Sequence, residues 1–256
     1  MRYGVGIDIG STCAKTIVID EEEKILHRML QPTGWSSVDT AEAIRADLET
    51  KGIAADNARF VATGYGRISV PFADKCVTEI SCHAKGAVKL FGSKDVNVVD
   101  IGGQDTKLIV ITDGMVSEFV MNDKCSAGTG RFLEVMANTL SVTPARLCEM
   151  AEDGAETKIS SLCTVFAESE VINLIGRGTP RPDIAYAVVD SIVQKVRTQA
   201  GKVHFNGGPL CLTGGLCEFG YVTRTLGKAF KQDVVTSPDA RYAGALGAAL
   251  YANALK

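Results

Sequence analysis

No Cys-x-x-Cys pair occurs anywhere in the chain, although it carries eight cysteines. That absence argues against a zinc ribbon, a ferredoxin-type cluster loop and a thioredoxin-like site, all of which use closely spaced thiols. The N-terminal stretch Met1-Arg2-Tyr3-Gly4-Val5-Gly6 has no apolar signal core and enters a strand almost at once. A cytoplasmic protein is therefore expected. In that compartment the thiols are packing groups, metal ligands or catalytic groups rather than disulfides. No apolar run approaches the roughly 20 residues that span a bilayer. No block of lysine and arginine stands out, and the net charge is −3, so neither nucleic acid nor a membrane is an expected partner. Two phosphate-binding signatures are missing as well: the P-loop Gly-x-x-x-x-Gly-Lys-Ser/Thr and the Rossmann Gly-x-Gly-x-x-Gly.

What remains is a globular composition, 46% hydrophobic and 22% charged, on 256 residues, enough for one large core or two lobes. Val- and Ile-rich segments predict strands at 2–9, 15–20, 24–31, 59–63, 96–101, 107–111 and 210–213. Three- and four-residue apolar spacing predicts helices at 37–50 and 182–197; helices are also expected at 78–90, 131–140 and 165–175, and a small-residue helix at 240–255. Asp113-Gly114 is a hairpin-turn signal.

The opening of the chain repeats once. Asp8-Ile9-Gly10-Ser11-Thr12-Cys13-Ala14-Lys15 matches Asp100-Ile101-Gly102-Gly103-Gln104-Asp105-Thr106-Lys107 at four of eight positions, Asp, Ile, Gly and Lys. A single duplication excludes solenoids and propellers. It points to an α/β fold of two similar lobes, 1–95 and 96–256, with the C-terminal helix crossing back. Each copy leads from a strand end into a tight turn. Glycine lets backbone approach a phosphate, and successive N–H groups can point at it. Ser11 and Thr12 add hydroxyls, Lys15 adds a positive charge, and an Asp at the mouth can hold Mg²⁺ through water. Leu212-Thr213-Gly214-Gly215 is a third such turn, suited to a nucleoside. One Gly-Gly turn is an ordinary strand terminator; three, two of them duplicates, indicate a nucleotide site.

These loops resemble the acetate kinase, sugar kinase, Hsp70 and actin superfamily, in which two ribonuclease-H-like lobes clamp ATP in a cleft. The resemblance covers the whole chain in order. It implies that Ser11, Thr12, Cys13, Ala14 and Lys15 wrap the phosphates and that Asp8 lies near the metal. It also places Asp100, Gly102, Gly103 and Gln104 at the γ-phosphate, Gly214 and Gly215 on the adenosine side, and Gly244 where the base needs room. Gln104-Asp105 replaces the extra Gly or Thr of many members, and Gln104 suits the orientation of an attacking water.

Two cysteines are placed alike, each before a helix: Cys125 in Met121-Asn122-Asp123-Lys124-Cys125-Ser126-Ala127-Gly128-Thr129-Gly130, and Cys163 in Ser160-Ser161-Leu162-Cys163-Thr164-Val165-Phe166-Ala167-Glu168. A helix N-terminus favours a thiolate or an anionic cluster. Two buried free thiols are one reading. A four-iron cluster completed by a twofold partner is another, and an interchain Cys₄ zinc site is a third. Cys76, Cys82, Cys148, Cys211 and Cys217 have no paired geometry, though Cys76 with Cys82-His83 is a minor metal candidate.

The motifs Asp100-Ile101-Gly102-Gly103-Gln104-Asp105, Met121-Asn122-Asp123-Lys124-Cys125 with Ala127-Gly128-Thr129-Gly130-Arg131-Phe132, and Cys163-Thr164-Val165-Phe166-Ala167-Glu168-Ser169-Glu170 sharpen the resemblance. So do Thr63-Gly64-Tyr65-Gly66-Arg67 and Glu79-Ile80-Ser81-Cys82-His83. Together they resemble the ATP-dependent activators (component A) of 2-hydroxyacyl-CoA dehydratases, within the BadF/BadG/BcrA/BcrD-type ATPases. Ser126 stands where Ala is commoner, a harmless departure.

The resemblance implies a homodimer sharing one [4Fe-4S] cluster on Cys125 and Cys163 of each subunit. It implies ATP/ADP and Mg²⁺ as ligands, ferredoxin or flavodoxin as electron donor, and ATP-driven delivery of one electron to the dehydratase component. Asp8, Asp100 and Gln104 are the expected catalytic residues. The alternatives are an ATPase subunit of a benzoyl-CoA-reductase-type complex, a small-molecule kinase of the same superfamily, and a nucleotide sensor with structural zinc.

Overall fold

A computed structural model describes residues 2–160 and 163–255. Two compact units are formed. The first runs up to Val96 and includes Ile111–Ser117 and the chain from Asp239 on. The second comprises Asn97–Val110 and Glu118–Pro238.

In the first unit, β1 (Tyr3–Ile9), β2 (Cys13–Ile19), β3 (Ile25–Pro32), β4 (Ala58–Thr63) and β5 (Lys75–Cys76) form one sheet in the order β3-β2-β1-β4-β5. β1 pairs antiparallel with β2 and parallel with β4. As the middle strand it is buried from Gly4 to Ile9, which is why its sequence runs apolar without alternation. α1 (Ser37–Thr50) starts at Ser36, whose hydroxyl accepts from the Asp39 N–H at 3.1 Å, and it buries Ala41, Ile44 and Leu48. α2 (Glu79–Phe91) packs on the terminal helix α8 (Ala243–Asn253). α8 also lies on β1 at a distance only small residues permit. A Cβ on Gly6 would fall 1.9 Å from the Ala245 carbonyl oxygen, and one on Gly247 would fall 1.7 Å from that of Cys82.

In the second sheet, β6 (Val96–Ile101), β7 (Thr106–Thr112), β8 (Met115–Asn122), β9 (Leu210–Gly214) and β10 (Val234–Val235) take the order β8-β7-β6-β9-β10. Read from this end, it is the order of the first sheet. Asp113 and Gly114 join β7 to β8 with φ of 49° and 78°, as the Asp-Gly hairpin signal requires.

The pairing repeats as well. β6 lies parallel to β9 with Asp100 opposite Thr213, and β1 lies parallel to β4 with Asp8 opposite Thr63. The duplication therefore extends beyond the eight residues visible by alignment. One segment breaks the match. β3 is joined to α1 by residues 33–36, whereas residues 123–180 lie between β8 and α6 (Arg181–Ala200). That segment holds α3 (Gly130–Thr139), α4 (Pro144–Ala151) and α5 (Thr164–Gly176), and both Cys125 and Cys163. α7 (Gly220–Phe230) follows β9. No helix among the described residues is long and apolar enough to cross a membrane.

Candidate functional site

The two repeated loops close by the same hydrogen bond. Gly10 N–H donates to the Cys13 carbonyl at 3.1 Å, and Gly102 N–H donates to that of Asp105 at 2.9 Å. Ser11 and Thr12 at one tip, and Gln104 at the other, are exposed. Thr33 holds the first turn from behind, its hydroxyl donating to the Gly10 carbonyl at 2.7 Å. Ala14 is buried, so only its backbone faces the loop.

The charges behind the two turns differ. Lys107 is fully buried and reaches Asp100 Oδ2 at 3.2 Å and Asp105 Oδ2 at 2.8 Å. Thr213 donates its hydroxyl to Asp100 Oδ1 at 2.8 Å. Both oxygens of Asp100 are thus engaged inside the second unit. Lys15, its counterpart by sequence, stands opposite Asp8 in the β1–β2 register and is half-buried. Among the described residues it has no ion-pair partner. The equal spacing in sequence therefore gives one lysine locked into structure and one available to a ligand. Asp105, absent from the expected site residues, is part of that lock.

Asp8 is buried in a cradle of glycines. A Cβ on Gly64 would fall 2.5 Å from Asp8 Oδ1, and one on Gly244 would fall 2.8 Å from Asp8 Oδ2 and 2.9 Å from His83 Cε1. The missing side chain of Gly244 thus makes room for a carboxylate and an imidazole of its own unit. Gly64 and Gly214 are a matched pair overlooked in the sequence: each follows a Thr at a strand end, each leads a 3₁₀ turn, and their φ, ψ values are 82°, −174° and 81°, −175°. Only glycine takes this conformation without strain. The Thr-Gly dipeptide at both places was the available signal. Beside Gly215 a Cβ would meet open space.

The two cysteines are not placed alike. Cys163 is itself the N-cap of α5, and no side chain caps that helix. Cys125 lies in a turn well before α3, whose N-cap is Thr129. The first N–H groups of α3 are not open to a thiolate: Gly130 N–H donates to Gly102 O at 2.9 Å and Arg131 N–H to Gly103 O at 2.7 Å. The helix-terminus position therefore belongs to Cys163, and a different relation holds for Cys125. Its turn is built by side chains. Asn122 Nδ2 donates to Cys125 O at 2.8 Å and to Ala127 O at 3.2 Å. Thr129 Oγ1 donates to Ser126 O at 2.6 Å, and Thr106 Oγ1 donates to Gly128 O at 2.6 Å.

The two segments nevertheless meet, because Ser126 Oγ lies 2.8 Å from Thr164 Oγ1. Ser126 is thus not an idle departure. Glu170 grips the stretch ahead of Cys163 by accepting from Ser160 N–H at 3.1 Å and Ser160 Oγ at 2.8 Å; Ser161 and Leu162 of that motif lie outside the described residues.

Burial separates the remaining thiols. Desolvation pushes Cys82, Cys148 and Cys211 up to about 12, so they stay protonated and inert. Cys76 is exposed and donates to Arg67 O at 3.2 Å. Among the described residues no three His, Cys, Asp or Glu side chains are grouped to hold a metal ion, so Cys76, Cys82 and His83 are not a site. Cys125 and Cys163 are both free and accessible, with Cys163 exposed.

The chain is similar throughout to proteins of known kind. It is 42% identical over 253 residues to the (R)-2-hydroxyglutaryl-CoA dehydratase activating ATPase of Acidaminococcus fermentans, covering 98% of this chain and 96% of that one. The crystal structure of that organism's dehydratase component A superimposes with a TM-score of 0.92 at 40% identity, over 99% of this chain and 98% of the other. The activator of the 2-hydroxyisocaproyl-CoA dehydratase from Clostridium difficile, solved with bound ADPNP, gives 0.91 at 33% identity, over 98% and 94%. A ROK family glucokinase from Streptomyces griseus matches at 0.63 with 16% identity, over 99% and 100%, and shows the fold alone: that of the actin, Hsp70 and sugar kinase group. The model of the BadF/BadG/BcrA/BcrD ATPase family matches residues 5–252, and the chain belongs to that family.

Proposed function

We propose that this chain is an ATP-hydrolysing activator that passes single electrons to a 2-hydroxyacyl-CoA dehydratase, as a homodimer sharing one four-iron cluster. One observation carries the reading. Cys125 and Cys163 stand in the single long segment that the second unit does not share with the first, and their sequence neighbours touch at 2.8 Å. Thiolates are the ligands of iron–sulfur clusters, and four are wanted. One chain offers two, so a symmetric partner supplies the rest. The donor set fits: both thiols are accessible and neither is paired with another cysteine. On α5, just after Cys163, Val165 and Phe166 are 66% and 67% exposed, an apolar surface suited to an interface. Such a cluster, when bound, supplies one-electron transfer at low potential.

The chain's own residues do the rest. Ser11, Thr12 and Lys15 take the phosphates, with Lys15 supplying the charge that Lys107 spends internally. Asp8 holds Mg²⁺ through water. Asp100 fixes the second turn, and the exposed Gln104 orients the attacking water. Gly214 and Gly215 lie toward the adenosine. The bonds from α3 to the Gly102 and Gly103 carbonyls tie that turn to the segment bearing Cys125. Loss of the γ-phosphate is thereby felt at the cysteines. Ferredoxin or flavodoxin donates the electron.

The test is iron and acid-labile sulfide on protein purified without oxygen. About two of each per chain are expected, lost together in Cys125→Ala and in Cys163→Ala. Iron-free protein, or zinc in its place, overturns the reading.

A further inference from the structure

We propose that the Ser126–Thr164 hydroxyl pair is a positioning clamp that fixes the Cys125 and Cys163 segments against one another and sets how firmly, and at what potential, they hold an iron–sulfur group. The second half of that statement rests on the functional reading above; the first half does not.

Each segment is fixed internally. Asn122, Thr129 and Thr106 hold the Cys125 turn through its carbonyls, and Glu170 holds Ser160 ahead of Cys163. Further along the helices, Thr139 of α3 donates to Glu168 of α5 at 3.2 Å. At the cysteines themselves, Ser126 Oγ and Thr164 Oγ1 at 2.8 Å make the hydrogen bond that joins one segment to the other. Each partner sits one residue from a cysteine, so the bond constrains the spacing of the two thiols. Both side chains are half-buried, which shields the bond from competing water.

The pair has a second property. Two hydroxyls carry two protons, and the bond between them uses one. The other proton is carried by a residue next in sequence to Cys125 or to Cys163. A donor beside thiolate or cluster sulfur stabilises the reduced, more negative state and raises its potential. Removing either hydroxyl loosens the spacing and leaves one proton where two stood; removing both withdraws the donor altogether.

The experiment compares the wild type with Ser126→Ala, Thr164→Val, the double variant, and Ser126→Thr, which keeps a hydroxyl. All are purified without oxygen. Hydrogen exchange over residues 122–130 and 163–168 is read first. The expected result is about three- to tenfold faster exchange in both segments for each single loss, the scale of one hydrogen bond. The double variant should be no faster than the singles, and Ser126→Thr should match the wild type. On iron-loaded samples, Ser126→Ala should release iron to a chelator faster by a similar factor, the double variant should also shift the midpoint potential to more negative values, and Ser126→Thr should match the wild type in both. Unchanged exchange in Ser126→Ala overturns the clamp. Faster exchange with unchanged potential and iron release overturns its role toward the cluster. Wild-type protein without iron overturns the functional reading instead, and the clamp is then decided by exchange alone.

Discussion

Thr213 donates its hydroxyl to Asp100 Oδ1 at 2.8 Å, joining the ends of β9 and β6 behind the second turn. Both residues are buried, and the acceptor is a carboxylate, so this bond is of the stronger kind. Thr213→Val keeps the shape and removes the donor. It should cost about 1.5–3 kcal/mol, read as a lower urea midpoint at unchanged slope. Thr213→Ser should recover most of it. A Val variant as stable as the wild type would show that the bond contributes nothing net.

The two lysines of the repeat should behave in opposite ways. Lys107→Met leaves Asp100 and Asp105 buried beside each other without their cation, and should cost about 3–5 kcal/mol. Lys15→Met breaks no ion pair and should stay within about 0.5 kcal/mol of the wild type. It should weaken nucleotide binding at least tenfold by titration calorimetry. Equal destabilisation by both would refute the divergence of the two copies.

The thiols should divide by burial and by pH. Iodoacetamide at pH 8 should label Cys76, Cys125 and Cys163 in folded, iron-free protein and spare Cys82, Cys148 and Cys211, as read by peptide mass. Burial raises these last three in the folded state from 9.0 to about 12. Their contribution to stability is therefore complete below pH 9 and is lost as pH rises from 9 toward 12. Cys82→Ala should flatten the decline of the urea midpoint above pH 9 and leave its slope between pH 7 and 8.5 as in the wild type. An identical decline in the variant would remove Cys82 as a cause.

Nucleotide should be felt at α3. Gly130 and Arg131 donate to the Gly102 and Gly103 carbonyls at 2.9 and 2.7 Å, so a ligand that orders the turn protects both amides. Adding a non-hydrolysable ATP analogue with Mg²⁺ should slow their exchange by about tenfold or more. Protection confined to Ser11–Lys15 would show that the second turn does not transmit binding.

Much of this was legible in the sequence because local patterns agreed with the tertiary result. Ser37–Thr50 and Val96–Ile101 were found to the residue, since a Ser cap and clean apolar spacing mark one, and a both-faces-buried run marks the other. β8 was missed because its outward positions include Met115, Phe119 and Met121, which erase the polar alternation. α4 was missed despite a readable start, Thr143 capping the Arg146 N–H at 3.2 Å with Pro144 at the first turn. α7 begins at Gly220, carries Gly227, and buries only Val222 and Leu226. At the site, the Asp-Ile-Gly repeat was visible, but spacing alone does not say that Lys107 turns inward while Lys15 does not. Nor can it say that Ser126 meets Thr164, which is a matter of tertiary approach between distant segments.

The mismatch between residues 33–36 and residues 123–180 has a further meaning. Where the first unit turns from sheet to helix in a short link, the second lodges three helices and two cysteines at the same junction. The host scaffold closes in the first unit without such a guest. The guest is therefore the portion that tells the two matched frames apart: a segment bearing both cysteines, lodged in one frame while the repeated turns and strand pairings are kept in both.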